Sequence, residues 1–125
     1  MSKRVLDVGN CPYDHAAIRR LIEQSFAAEV IQAHAPQEAL DALRAGRFDL
    51  MLINRRLVQD RSDGVEIIRQ MKADPELANV PVMLITNYPD HQQRAVEAGA
   101  EPGFGKARLD HPETRERLRA FLGAD

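Results

Sequence analysis

Four short apolar runs divide the chain: RVLDVG (4 to 9), EVIQA (29 to 33), FDLMLI (48 to 53) and PVMLIT (81 to 86). Their length and their aliphatic, partly β-branched content favour strands over helices. The third and fourth runs lack alternating polar residues, which is typical of strands that are covered on both faces. A GFG segment at 103 to 105 gives a weaker signal for a fifth strand.

The segments between these runs repeat apolar residues at three- and four-residue steps, the period of a helix that buries one face. The first helix should begin near Pro12, with Asp14 placed to cap it, and the last near His111. Strands that alternate with helices imply right-handed parallel crossovers, which put helices on both faces of one sheet. The sequence therefore predicts one α/β domain over residues 1–125, built as a three-layer sandwich.

Composition narrows the function without naming it. The chain has 125 residues, a formal charge of −2 and 29% charged residues of both signs, which argues against a polybasic nucleic-acid surface. One cysteine, Cys11, excludes an internal disulfide framework, and no apolar stretch is long enough for a signal peptide or a membrane helix. We expect a cytoplasmic protein that binds neither nucleic acid nor membrane through this domain. Four histidines lack metal-ligand spacing and should be exposed or capping: His15, His34, His91 and His111.

Polar residues follow the predicted strands where each strand ends. They are Gly9 and Asn10, Asn54, Thr86 and Asn87, and Lys106. The carboxyl ends of neighbouring parallel strands form the ligand-binding edge of a doubly wound sheet. We therefore expect these groups to converge on one pocket, in which the first polar side chain after the third strand is an amide.

Five stretches carry a resemblance to a known family, in the right order and at nearly the usual spacing: RVLDVGNCPYDHAAIRRLI, GRFDLMLINRRL, DGVEIIRQMK, VPVMLITN and AVEAGAEPGFGK. Over nearly its whole length the chain resembles the receiver domain of two-component response regulators. The resemblance implies a CheY-like, flavodoxin-like fold with five parallel strands in the order 2-1-3-4-5 and five helices. It also implies a role in phosphorelay signal transduction through contacts with signalling proteins.

The resemblance fails at the residues that carry the family's chemistry. Receivers use an aspartate after the third strand as phosphoacceptor and an acidic pair after the first to hold Mg²⁺. Here Asn54 takes the first position, and Gly9 and Asn10 take the other two, whereas Thr86 and Lys106 match the family's hydroxyl and ammonium. An amide has no anionic oxygen to attack phosphorus, and neutral ligands hold Mg²⁺ poorly. We expect a pseudo-receiver without aspartyl phosphorylation, metal, cofactor or enzymatic activity.

Two further departures lie beside the pocket. Gly103 occupies the position, three before the lysine, where receivers commonly carry an aromatic residue, and Phe104 is displaced by one place, which in a strand reverses the face of the side chain. The loop NRRLVQDRSDG is about two residues longer than the family spacing and carries Arg55 and Arg56. These arginines and Lys106 would attract an anion such as phosphate or sulfate, although solvated loop arginines are the simpler interpretation.

Several interpretations stay open at this stage. Thr86 and Lys106 can be structural rather than functional, and Asp7 is either a displaced acid of the pocket or a carboxylate bound to a neighbouring donor. Asn54 can be a laboratory replacement for aspartate, although a single substitution would not explain Gly9, Asn10 and Gly103. As alternative functions, another acid (Asp7, Asp60 or Asp63) would accept a phosphoryl group with Mg²⁺, or the pocket would bind a small ligand.

A partner surface is also implied by the resemblance, because receivers usually meet partners or dimerise through the fourth helix, fifth strand and fifth helix. This moderately basic face has little apolar area, which favours a transient partner or a weak homodimer. Its predicted members are His91, Arg94, Ala95, Phe104, Arg108 and Arg115.

Overall fold

The computed structural model describes residues 2–123. Five strands are present: β1 Lys3–Val8, β2 Ala28–Ala33, β3 Leu50–Asn54, β4 Val82–Ile85 and β5 Glu101–Phe104. Five α-helices alternate with them: α1 Pro12–Ser25, α2 Pro36–Ala45, α3 Gly64–Ala73, α4 Pro89–Glu97 and α5 Pro112–Leu122, the last preceded by a 3-10 turn, Lys106–Arg108. Within residues 2–123, no helix combines the length and the apolar character needed to cross a membrane. The predicted domain, 1–125, also includes Met1, Ala124 and Asp125, which lie outside the described residues.

All four strand pairs are parallel, and the strand order is β2-β1-β3-β4-β5. One buried cluster joins the sheet to α2, α3 and α4, and a second joins its opposite face to α1 and α5. The predicted flavodoxin-like three-layer sandwich with five strands and five helices is therefore confirmed.

The continuous apolar run of β3 is explained by this double coverage. Met51 and Ile53 belong to the cluster under α2 to α4, whereas Leu50 and Leu52 belong to the cluster under α1 and α5. All four side chains are fully buried, and each contributes roughly 1.5–3 kcal/mol to folding through removal from water. A strand in this position has no solvent-exposed face, so its first polar side chain is that of the residue at its end, Asn54.

The cap of α1 differs from the sequence prediction. Cys11 is the N-cap residue: its Sγ accepts a hydrogen bond from the backbone N–H of Asp14 at 3.4 Å. Asp14 instead lies in the first helical turn and accepts a bond from the Cys11 thiol at 3.3 Å. The carboxylate is thereby left facing another partner, Lys106, described below.

The β4–β5 pair contains a register shift between Met83 and Ile85, and a side chain fills the gap. The Gln92 amide, from α4, donates to Leu84 O at 2.9 Å and accepts from the Gly103 N–H at 3.0 Å. A Cβ at Gly103 would lie 2.3 Å from Leu84 O, so the position admits only glycine here. Phe104 is buried in the cluster under α1 and α5, which confirms that its side chain is on the face away from α4.

Candidate functional site

A cavity of about 180 Å³ opens at the carboxyl edge of the sheet. It is lined by Asn54, Arg55, Arg56, Ile85, Thr86, Asn87, Tyr88 and Lys106. Six of the residues predicted from strand ends and the following loop are thus brought together. Gly9 and Asn10 follow β1, which pairs with β3, but they do not line the cavity.

The side chain of Asn54 is held in place by hydrogen bonds from its amide nitrogen. Nδ2 donates to the carbonyl oxygen of Arg56 at 2.8 Å and, at the limit of bonding distance, to that of Gly9 at 3.5 Å. Both acceptors are backbone carbonyls, so the orientation of the amide is fixed: a flipped side chain would place oxygen against oxygen. An aspartate at this position would create the same conflict, which means that the local backbone is arranged for an amide.

The position of the first missing acid is occupied by a neighbour. Gly9 has φ +80°, a left-handed conformation that favours glycine, and a Cβ built on it would lie 2.3 Å from Leu57 Cγ. Leu57 is fully buried and belongs to the cluster under α2 to α4. Space that an acidic side chain would need is therefore filled by a leucine from the long loop.

Backbone hydrogen bonds hold this loop, residues 55–63, in place. Leu57 N–H donates to Ser62 O at 2.9 Å, and Val58 N–H donates to Gly9 O at 2.9 Å. The loop's far end is fixed by the Gly64 N–H, which donates to Arg55 O at 2.7 Å, and Arg61 adopts φ 67° at the tip. The sequence alone marks Leu57 as a candidate for burial, because it is an apolar residue followed by mainly polar ones. Its position over Gly9, however, depends on tertiary packing.

Asn10 and Asp7 belong to a buried polar cluster behind the cavity. Asn10 Nδ2 donates to Asp7 Oδ1 at 2.6 Å, and His15 Nδ1 lies 2.7 Å from Asp7 Oδ2. Asp7 is fully buried, and this burial raises the pKa of its carboxyl against the lowering effect of His15 and Asn10. The interpretation of Asp7 as a carboxylate bound to neighbouring donors is confirmed. The expectation that His15 is exposed or capping is wrong, since its side chain is 12% exposed and paired with Asp7.

Thr86 and Lys106 have structural partners in this arrangement. Thr86 Oγ1 accepts from the Tyr88 N–H at 3.3 Å, at the start of α4. Lys106 Nζ forms an ion pair with Asp14 Oδ2 at 2.8 Å, and this ammonium holds the pKa of the Asp14 carboxyl below its usual value. The side chain that would stabilise a phosphoryl group is thus committed to α1.

The residues at the family's Mg²⁺ position do not fit the ion. Gly9 offers no side chain, Asn54 turns its amide hydrogens toward the backbone, and Asn10 contributes a single buried amide oxygen, Oδ1, without a partner among the described residues. Hard cations require several oxygen ligands directed at one point. In residues 2–123, no group of three or more histidine, cysteine or acidic side chains is arranged to hold a metal ion.

The other candidate phosphoacceptors are also separated from this cavity's lining. Asp7 is enclosed by His15 and Asn10. Asp60 is exposed and accepts from the Ser62 N–H at 2.9 Å, and its pKa is lowered by hydrogen bonds from Ser62. Asp63 caps α3 by accepting from the Val65 N–H at 2.9 Å.

Comparison with known proteins identifies the family to which this chain belongs. The sequence model of the response regulator receiver domain matches residues 11–122. The chain belongs to the response regulator receiver family. The match begins at residue 11. Gly9 and Asn10, the neutral residues at the family's acidic positions, therefore lie just before the matched segment.

Curated relatives include the polar-differentiation response regulator DivK of Brucella ovis and of Brucella abortus. Each is 30% identical to this receiver over 125 residues, with 98% of both chains covered. Among solved structures, the receiver domain of a DNA-binding response regulator from Colwellia psychrerythraea superposes with a TM-score of 0.82 at 24% identity, covering 95% of this receiver and 97% of that chain. A response regulator from Thermotoga maritima gives a TM-score of 0.78 at 24% identity, covering 99% and 100%. These structures support the fold.

Proposed function

We propose that this receiver domain acts in two-component signalling through protein contacts, without phosphorylation of an aspartate. The supporting observation is the arrangement at Asn54: its amide donates to Arg56 O, and Leu57 fills the space beside Gly9. The site thereby lacks a nucleophilic oxygen at the acceptor position and a place for the metal. We expect the domain to have no enzymatic activity of its own and to work in the cytoplasm.

Incubation with acetyl phosphate and Mg²⁺, followed by intact-mass analysis, tests this proposal. The expected mass is unchanged, whereas a receiver with its aspartate intact, treated in parallel, gains one phosphoryl group. A gain of one phosphoryl group by this chain would overturn the proposal. Peptide mapping would then decide between Asp7, Asp60 and Asp63, the alternative acceptors.

The proposed partner surface is the face formed by α4, β5 and α5. Between these elements lies a groove of about 560 Å³ whose lining includes Pro89, Val96, Pro102 and Ala107, with Arg108, Glu113 and Arg117 as charged members. Val96 is 43% exposed, so apolar surface is available for a partner. Two predicted members need correction: Ala95 is fully buried and does not line the groove, and Phe104 lines it but is only 4% exposed.

A matched pair of variants tests this surface. Val96→Asp places a charge in the groove, whereas Val58→Asp alters another exposed valine on the loop after β3. Pull-downs from the native host should lose a two-component protein with Val96→Asp alone, because burial of an unpaired charge opposes docking. Equal capture by both variants would place the partner elsewhere. Chromatography of the two variants over a range of concentrations would show whether the same face supports a weak homodimer.

A further inference from the structure

A smaller cavity of about 90 Å³ lies next to the cavity at Asn54 and shares Arg55 with it. Its lining is Arg55, Asp63, Val65, Arg69, His91 and Arg94. Three arginine side chains from three different elements, the loop after β3, α3 and α4, thus line a space of the size of one small anion. Asn54, Thr86 and Lys106 do not line this second cavity.

Positive charge dominates the lining. Within residues 2–123, Arg55 and Arg94 have no carboxylate at ion-pair distance. Arg69 pairs with Glu66 at 2.9 Å, but both side chains are more than half exposed, and such surface pairs are weak. The one acidic member, Asp63, keeps its negative charge while it accepts from the Val65 N–H, so the lining has three cationic side chains against one anionic. Three like charges around one small space repel each other, and a bound anion would reverse the sign of that interaction.

His91 supplies a second, independent observation. Its Nδ1 is buried and has no hydrogen-bond partner among the described residues. Buried polar atoms in proteins nearly always have partners, and His91 lines the cationic cavity, so its orphaned ring nitrogen is available to a group bound there once the ring turns toward it. A phosphate oxygen meets this need, because it can accept from a protonated ring nitrogen and from the forked N–H groups of arginine.

We propose that this cavity binds a phosphate group through Arg55, Arg69, Arg94 and His91. It fits an anion better than the cavity at Asn54, where Lys106 is paired with Asp14 and the Asn54 amide hydrogens are bound to backbone carbonyls. The group can be free inorganic phosphate or the phosphorylated side chain of another protein, since both present the same oxygens. The proposal is independent of whether the domain itself is phosphorylated.

Titration of the ¹⁵N-labelled full chain with inorganic phosphate at constant ionic strength, followed by amide chemical shifts, tests the site. We expect saturable shifts centred on Arg55, Arg69, His91 and Arg94, with a dissociation constant of about 1 mM, typical of a few charge-assisted contacts. Acetate at the same ionic strength should give no saturable shift. A short phosphoserine peptide and its unphosphorylated form make up a second arm: tighter binding of the phosphorylated form alone would assign the group to a partner chain.

Two variants sharpen the test. Arg94→Gln should weaken phosphate binding at least tenfold, because one of the unpaired guanidinium groups is removed. Arg20→Gln alters an exposed arginine on α1, in the opposite layer, and should leave binding unchanged. The proposal is overturned if phosphate gives no saturable shifts in either arm, if the shifts centre on Asn54, Thr86 and Lys106, or if Arg94→Gln binds like the unaltered chain.

Discussion

Asn54→Asp restores the family's phosphoacceptor and should make this protein less stable. The substitution removes the hydrogen bond from Nδ2 to Arg56 O, at 2.8 Å, which contributes about 1 kcal/mol. It also turns a carboxylate oxygen toward that carbonyl, and the repulsion between the two oxygens costs roughly another 1 kcal/mol at this exposed position. We therefore expect a loss of about 2 kcal/mol in the free energy of unfolding at neutral pH, as the sum of these two effects.

Attraction to nearby cations opposes this loss but should not exceed it. Arg55, Arg56 and Lys106 line the same cavity, yet Arg56 donates to Arg61 O at 3.1 Å and Lys106 is paired with Asp14 at 2.8 Å. Ion pairs near the surface contribute only about 0.2–1 kcal/mol each. The loss of the amide should therefore prevail.

Urea unfolding of three proteins separates the contributions: the unaltered chain, Asn54→Ala and Asn54→Asp. The alanine variant loses only the hydrogen bond, about 1 kcal/mol, and its difference from the unaltered chain should not vary with pH. A carboxyl disfavoured as an anion has a raised folded-state pKa, so the aspartate variant should regain stability as the pH falls through that value. If Asn54→Asp is as stable as the unaltered chain at neutral pH, the conclusion that the backbone is arranged for an amide is wrong.

Three other perturbations give separate checks. Gly9→Ala should lose roughly 2–4 kcal/mol in urea unfolding, from strain at positive φ and overlap with Leu57, and Leu57→Ala in the same chain should relieve the overlap. Burial raises the pKa of Asp7, so the folded state binds this proton more tightly, and stability relative to Asp7→Asn should grow as the pH falls through the raised value; a flat difference would contradict the burial effect. Gln92→Ala removes the link between β4 and β5, and amide hydrogen exchange at Gly103 should accelerate at least tenfold; unchanged exchange would show that the link does not protect this amide.

The fold was predictable from the chain because its signals are local. Continuous apolar runs such as 50–53 require coverage on both faces, and helical stripes between them supply it. The convergence of Asn54, Thr86 and Lys106 followed from parallel topology alone. These are consequences of periodicity and chain connectivity, which a single sequence records.

The parts that could not be predicted depend on contacts between distant segments. Nothing local to Leu57 shows that it packs on Gly9, 48 positions earlier in the sequence. The partner of Lys106 was misjudged for the same reason: Asp14 was assigned to the helix cap, whereas Cys11 provides that cap and leaves the carboxylate for the lysine. The sequence predicts an exposed or capping role for His15, because its contact with Asp7 is a property of the folded packing that the local sequence does not record.

The position of Leu57 over Gly9 also bears on how this domain can evolve. The family's acidic site would need acids at the ends of both β1 and β3. Each acid introduced alone meets a group that opposes it: a leucine in one case, and a backbone carbonyl in the other. Intermediates with one introduced acid should therefore be less stable than this protein, so the loop makes the family's acidic site difficult to acquire by single substitutions.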